Sequence, residues 1–407
     1  MKKDTLITRS GTIDETQYGC VNVPIYRSST IIFPTIEDYN KASKGEAFYK
    51  TSEGIRSRDF SYGTSGTPTT HALQRAVAEL ENAKYALISP SGLAAITNSL
   101  LALLKAGDHL LMVDSVYGPT RRFCNNVLKN LNIETTYYDP RIGKDIQKLI
   151  KKNTKVIFME SPGSLTFELQ DIPAICKVAK LKNIITIVDN SWATGLYLRP
   201  IDLGADVSIQ AATKYIGGHS DLLLGTVSAS GEAYDKISAM HHNLGSATSP
   251  DDCYLALRGL RTMATRLKRH EESANLVANW LEKRKEVSAV LYPNLKSHPD
   301  YKIFKRDFSG ATGLLSFILN EEYNFDQLCN MINNYDIFRI GASWGGFESL
   351  VMVFDPKPIR TATKWTKKGL CVRLYIGLEN SEDIIKDLEN GFKRLKNATN
   401  IKKPKNK

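Results

Sequence analysis

The sequence predicts an α/β protein, a mostly parallel sheet covered on both faces and followed by a smaller α+β C-terminal domain. Three observations predict it. Helical and strand-like patterns alternate from about residue 61 to 250. One long charged helical stretch then runs from Leu257 to Glu286. Beyond it, strand-like segments recur before a closing helix. The 407 residues suffice for a large core and one or two domains.

Residues 1 to about 60 are polar and irregular, with one short apolar string at Ile31-Ile32-Phe33. They read as an N-terminal arm lying on a neighbouring subunit. Thr70 to Leu80 reads as a helix and Tyr85 to Ile88 as a short strand. Gly92 to Lys105 spaces Leu93, Ile96, Leu100 and Leu104 at a helical period, with Gly107 as a stop. His109 to Val113, Thr135 to Tyr138, Val156 to Met159, Ile184 to Val188 and Val207 to Gln210 read as strands. Helices at about 120–130, 144–151 and 172–181 separate several of them. Such alternation implies parallel strands with helices on both faces. In these sheets ligands sit at the carboxyl ends of the strands. The expected large domain spans 61–260. The Leu257–Glu286 helix bridges to a small domain at 261–395, whose strands are Leu314 to Leu319, Leu350 to Phe354 and Cys371 to Ile376. Asp383 to Leu395 closes it as a helix, and 396–407 is a flexible basic tail.

The net charge of +11 suggests a nucleic-acid partner, but its distribution argues against one. Seven basic and no acidic residues lie between Lys393 and Lys407, leaving about +4 for the rest. No apolar run approaches the roughly 18 residues of a membrane span. No apolar segment follows the lysines of Met1-Lys2-Lys3, so no secretory signal is expected. The six cysteines are scattered without paired spacing, which fits buried thiols in a reducing cytoplasm. His241-His242 has no partners at metal-ligand spacing and reads as a loop pair; no metal is expected.

Two residues carry the chemistry. Asp189 ends the apolar run Ile187-Val188-Asp189, and Lys214 follows Gln210-Ala211-Ala212-Thr213 at the end of the next strand. A lysine there, flanked by a hydroxyl and by Gly217-Gly218, is poorly placed for a surface charge. An acid at the previous strand end makes the pair resemble a pyridoxal 5'-phosphate (PLP) site, with Lys214 holding the cofactor as a Schiff base and Asp189 keeping the pyridine nitrogen protonated. A carboxylate against a pyridinium gains on the order of a few kcal/mol in a partly desolvated site. The plainer alternatives are a snorkelling lysine and an ordinary strand-end carboxylate. Ser91-Gly92-Leu93 opens a helix whose first amides suit a phosphate. Tyr117, after a strand, suits stacking on the ring, or is a core tyrosine. Arg373 is a lone arginine in an apolar strand and needs an anion, either a substrate carboxylate or an internal salt-bridge partner.

Four strings together resemble the PLP-dependent Cys/Met metabolism (trans-sulfuration) family. They are Tyr62-Gly63 with Gly66-Thr67-Pro68-Thr69, Glu160-Ser161-Pro162-Gly163-Ser164, Gln210-Ala211-Ala212-Thr213-Lys214-Tyr215, and Ser343-Trp344-Gly345-Gly346-Phe347-Glu348-Ser349. The likeness runs from about Pro24 to Leu395. It favours the carbon–sulfur β-lyase branch. Gln-Ala-Ala-Thr-Lys stands where γ-enzymes show His-Ser-Ala-Thr-Lys, Trp344 where they carry Leu, and Gly-Thr-Pro-Thr where they carry Gly-Asn-Pro-Thr.

The resemblance implies fold-type I, a seven-stranded sheet in a PLP-transferase domain, and a cytoplasmic homotetramer with active sites shared between paired subunits. It implies cleavage of L-cystathionine to homocysteine, pyruvate and ammonia in methionine biosynthesis, with amino-acid (alanine) racemisation as a side activity. γ-Lyase or γ-synthase chemistry, or broad-specificity racemisation, stays open on the same scaffold. Lys214, Tyr117 and Tyr62 would be catalytic. Tyr62 would reach the neighbouring subunit's cofactor phosphate; Gly92 and Leu93 would give it amides and Thr213 a hydroxyl. Ser343, Trp344 and Arg373 would hold the substrate carboxylate. One departure stands out: many members carry an arginine where this chain has Thr64, and Arg56 and Arg58 are the nearby candidates to replace it.

Overall fold

The computed structural model describes residues 1–12, 20–43 and 61–397. Two sheets organise it. The first has seven strands: β1 (Tyr85–Ser89), β2 (His109–Val113), β3 (Glu134–Tyr138), β4 (Thr154–Glu160), β5 (Ile185–Asp189), β6 (Val207–Gln210) and β7 (Gly225–Ala229). Their spatial order is β1-β7-β6-β5-β4-β2-β3. The pairs β3–β2, β2–β4, β4–β5 and β5–β6 are parallel. β7 runs antiparallel to both β6 and β1. β2 and β6 are buried along their whole length and β5 at all but its first residue, as cover on both faces requires. One consequence matters for function. β2, β4, β5 and β6 end at one edge of the sheet, and β1 ends there too, because it is antiparallel to an antiparallel strand. The second sheet contains β8 (Val287–Leu291), β9 (Leu314–Leu319), β10 (Arg339–Ile340), β11 (Leu350–Phe354) and β12 (Cys371–Tyr375), in the order β10-β11-β12-β9-β8. The α/β class with a mostly parallel large sheet is as expected.

Several local expectations were wrong, each for a physical reason. β7 was missed because Gly225-Thr226-Val227-Ser228-Ala229 has one large apolar side chain. A Cβ on Gly225 would strike the Ser91 carbonyl and lie 2.9 Å from Ala95 Cβ, so the close helix Gly92–Leu103 demands small residues here. The first 60 residues are not uniformly irregular: Lys3–Arg9 and Ile36–Ser43 are helical. The first helix buries only Ile7 and is pinned by tertiary bonds, Lys3 to the Leu196 carbonyl at 2.7 Å and Arg261 to that of Ile7 at 3.1 Å. His241 and His242 lie in the last turn of the helix Gly231–Asn243, not in a loop. Burial lowers the His241 imidazole to about 4. The segment Gly143–Leu149 is 3₁₀ rather than α. The long helix is Pro250–Glu282, so it begins before Leu257 and ends before Glu286, and Val287–Leu291 after it is a strand. Cys20 is exposed and Cys329 half-buried, whereas Cys124, Cys176, Cys253 and Cys371 are buried as expected. Arg56, Arg58 and the tail beyond residue 397 lie outside the described residues. No described helix is long and apolar enough to cross a membrane.

A charged knot straps the segment after β11 to the end of β2. The fully buried Asp114 carboxylate accepts from Arg121 Nη2 at 2.7 Å, from the backbone N–H groups of Thr361 and Thr363 at 3.0 and 2.9 Å, and from the Thr363 hydroxyl at 2.7 Å. Burial alone would raise this carboxyl, but the bonds from Thr361, Thr363, Arg121 and Ala362 outweigh it and hold the group below its ordinary value. A depressed folded value contributes stability above the unfolded value of about 3.9, and that stability is lost as pH falls through the folded value. Asp114→Ala is therefore expected to cost about 3–5 kcal/mol at neutral pH, since it strands a buried guanidinium. Denaturant midpoints should show the gap from the unsubstituted protein narrowing below about pH 4. An equal gap at pH 7 and in acid would contradict the ionic assignment.

Candidate active site

The strand ends gather the charged groups. Asp189 is the last residue of β5, 9% exposed, with one oxygen accepting the Ser191 N–H at 3.0 Å. Burial raises its carboxyl, opposed by the Ser191 hydrogen bonds and by the positive charge of Lys214. The Ser191 hydroxyl in turn accepts the Ala211 N–H at 2.7 Å, which ties the β5 turn to the turn that carries Lys214.

Lys214 is half-buried, and its Nζ donates to Ser343 Oγ at 2.7 Å and lies 5.3 Å from the Trp344 ring centre. Burial pulls its ammonium down to about 8; the charge of Arg373 adds to this and that of Asp189 opposes it. The loop bearing Ser343 and Trp344 is pressed onto the lysine. Gly345 has φ +91°, and a Cβ there would fall 2.7 Å from the Lys214 Cα, so only glycine suits the position. Tyr215 lies 5.4 Å from Trp344 between ring centres, and the Tyr375 hydroxyl donates to the Gly346 carbonyl at 2.7 Å. This aromatic floor holds the loop.

Arg373, 5% exposed, sits in β12 between Met352 and Ser316. Its Nη2 donates to the carbonyls of Ala342 and Ser343 at 2.8 and 3.0 Å, and more weakly to that of Gly341. Its Nε is buried with no hydrogen-bond partner. Burial draws the guanidinium down to about 10, so it remains charged at neutral pH. The orphaned donor is what a bound carboxylate would satisfy.

The start of the helix Gly92–Leu103 completes the edge. Ser91 Oγ accepts the Ala94 N–H at 3.0 Å, and a Cβ on Gly92 would lie 2.6 Å from that of Ala211. The helix therefore opens against the 211–214 turn, with the amides of Gly92 and Leu93 lacking intrahelical partners by position. Thr213 stands in the same turn, but its hydroxyl donates to the Leu224 carbonyl at 3.1 Å and must rotate to donate elsewhere. Tyr117 caps the helix Gly118–Phe123 and is 46% exposed; burial raises its phenol. Tyr62 is 51% exposed and bridges Thr30, and no hydrogen bond joins it to this cluster among the described residues. Gly63 beside it donates to the Ser29 carbonyl at 2.8 Å. The structure thus brings together Lys214, Asp189, Ser343, Trp344, Arg373, Gly92, Leu93 and Thr213.

Sequence reasoning gave no role to Glu160, Ser191 or Arg360. Glu160 ends β4 as Asp189 ends β5, so the strand-end rule that found one acid applied equally to the other.

A basic amine, a buried carboxylate, an orphaned guanidinium donor and a free helix N-terminus around one sheet edge fit a phosphorylated aldehyde cofactor and an amino-acid carboxylate. With limiting formaldehyde and a mild reductant, methylation of Lys214 followed by peptide mapping should rise with a midpoint near pH 8, as its lowered value requires. Exposed lysines should follow about 10.4. A midpoint for Lys214 equal to theirs would contradict the desolvated placement.

Comparison with known proteins supplies the context. Residues 4–393 match the family described as Cys/Met metabolism PLP-dependent enzyme. An L-alanine/L-glutamate racemase of Wolbachia pipientis is 44% identical over 396 residues, covering 97% of this chain and 98% of that protein. A cystathionine beta-lyase of Haemophilus influenzae is 40% identical, covering 96% and 98%. The crystal structure of a cystathionine gamma-lyase from Lactobacillus plantarum with L-serine superposes with a TM-score of 0.86 at 29% identity, covering 97% of this chain and all of that one.

Proposed function

Because the chain belongs to the Cys/Met metabolism PLP-dependent enzyme family, we propose that it is a PLP-dependent carbon–sulfur β-lyase that cleaves L-cystathionine to homocysteine, pyruvate and ammonia. The observation that carries this reading is Lys214, which follows β6 at the sheet edge where Asp189 ends β5, bonded to Ser343 and half-buried so that its ammonium is drawn down to about 8. When bound, the cofactor supplies an electron sink for the electron pair at the substrate Cα. Everything else falls to side chains of this protein.

Asp189 holds the proton on the ring nitrogen, helped by its buried position. Gly92, Leu93 and Thr213 hold the phosphate, the first two by backbone amides and Thr213 after its hydroxyl turns from Leu224. Tyr117 would stack on the ring, and Tyr62 would reach the phosphate of a paired subunit's cofactor. Arg373 takes the substrate carboxylate with the donor that lacks a protein partner, and Ser343 and Trp344 shape that pocket. Lys214, as the neutral amine, removes the Cα proton and returns it to the leaving sulfur. Its value of about 8 suits both halves of that transfer near neutral pH.

The chain reads as a large domain of 61–260 and a small one of 261–395, joined through the long helix. It reads as a homotetramer of the cytoplasm. Support for assembly comes from apolar side chains left exposed in the N-terminal segment, including Val21 at 81%, Ile32 at 80% and Ile36 at 74%.

A second reading rests on the racemase that is 44% identical to this chain. A proton removed from Cα and returned to the opposite face racemises the amino acid. Thr64, where many family members carry an arginine, is a smaller and uncharged side chain, with Arg56 and Arg58 the candidates to compensate.

Incubation with L-cystathionine should yield pyruvate, and Lys214→Ala should lose both the yellow colour of the tethered cofactor and turnover. 2-Oxobutyrate would instead identify γ-chemistry, and a lyase-active Lys214→Ala would refute the role of the lysine. Chiral analysis of incubated L-alanine checks the side activity: slow accumulation of D-alanine is expected, dependent on Lys214.

A further inference from the structure

Glu160 and Asp189 are register partners on the parallel strands β4 and β5. Paired residues of adjacent strands project to the same side of the sheet, so the two carboxyls are neighbours. Glu160 Oε2 accepts the backbone N–H of Tyr117 at 2.7 Å. That bond sets where the tyrosine enters the site, because Tyr117 is the residue that caps the following helix. From the other side, Arg360 holds the loop beyond Glu160 through Thr166 and Glu168, the latter at 2.8 Å. The loop is strained: Leu165 and Phe167 both sit in the left-handed region, at φ +67° and +59°. Ser316 Oγ donates to the Leu165 carbonyl at 2.8 Å, and the Gln170 amide to the Glu160 carbonyl at 2.9 Å. Such strain persists only where surroundings over-determine the backbone, and here they fix the end of β4.

We propose that Glu160 is a positioning residue for the cofactor: it anchors Tyr117 through the backbone N–H and keeps the proton of the Glu160–Asp189 pair, leaving the negative charge on Asp189. This rests on the PLP reading above. Two adjacent carboxyls, Asp189 buried and Glu160 half-buried, cannot both ionise cheaply. The groups facing Glu160 decide which one does. Asp189 receives the Ser191 N–H and faces Lys214. Among the described residues Glu160 receives the N–H of Tyr117 and faces the Asp189 carboxylate, with the Arg360 charge opposing its protonation. Burial first, and then Asp189, push the Glu160 carboxyl well above the usual range. Glu160 thus serves as an uncharged acceptor, a role a carboxamide can fill.

The test compares E160Q and E160A with the unsubstituted protein, by titration with PLP and by visible circular dichroism of the bound cofactor, which reads its pose. E160Q should keep the dissociation constant within about threefold and preserve the dichroic band. E160A, which strands the Tyr117 N–H, should weaken PLP by about tenfold and alter the band. E160Q as damaged as E160A would overturn the proposal, because a charge rather than an acceptor would then be required. E160A indistinguishable from the unsubstituted protein would also overturn it. Should E160A fail to fold, E160Q decides alone: an unchanged band and affinity uphold the proposal, and a tenfold loss ends it. If the unsubstituted protein does not bind PLP, the PLP reading has failed, and the proposal with it.

Discussion

The amine of Lys214 is held in a half-enclosed place beside one guanidinium and one carboxylate, and the rest of the site depends on that placement. Enclosure penalises the ammonium, Arg373 penalises it further, and Asp189 only partly compensates. The balance leaves an amine able to bond to an aldehyde and to move a proton near neutral pH. Each of the three groups sits on a different element, so the balance exists only when both sheets are in place. Asp189 ends β5, Lys214 follows β6, and Arg373 comes from β12 of the second sheet.

Small residues make that convergence possible. Gly345 lets the Ser343–Gly346 loop press on the backbone of Lys214, and Gly92 lets a helix open directly against Ala211. Gly225 lets β7 pass beneath the Ser91 turn. A methyl group at any of the three would push the Ser91–Gly92 turn, the Ser343–Gly346 loop or the turn bearing Lys214 outward. The knot at Asp114 works at longer range, fastening the segment after β11 to the loop that carries Tyr117.

Much of this was legible in the residues. Asp189 and Lys214 stood out because a charge closing an apolar strand has few structural uses, and parallel sheets put ligands at that edge. The strands β2, β9 and β11 could be bounded from their apolar runs alone. What could not be read depended on long-range packing. β7 is apolar only in part, because a neighbouring helix excludes larger side chains. The helix Lys3–Arg9 is held by residues about two hundred positions away. Arg373 meets three backbone carbonyls and keeps one donor without a partner, an arrangement invisible in a list of charges. Glu160 lies within one of the motif strings, but its pairing with Asp189 is a register that only the folded sheet supplies.

The most direct test is chemical trapping of the tether. The protein loaded with PLP, reduced with borohydride and digested, should carry one phosphopyridoxyl group, on the peptide that contains Lys214. A label spread over several lysines, or fixed at a different one, would contradict the account at its base.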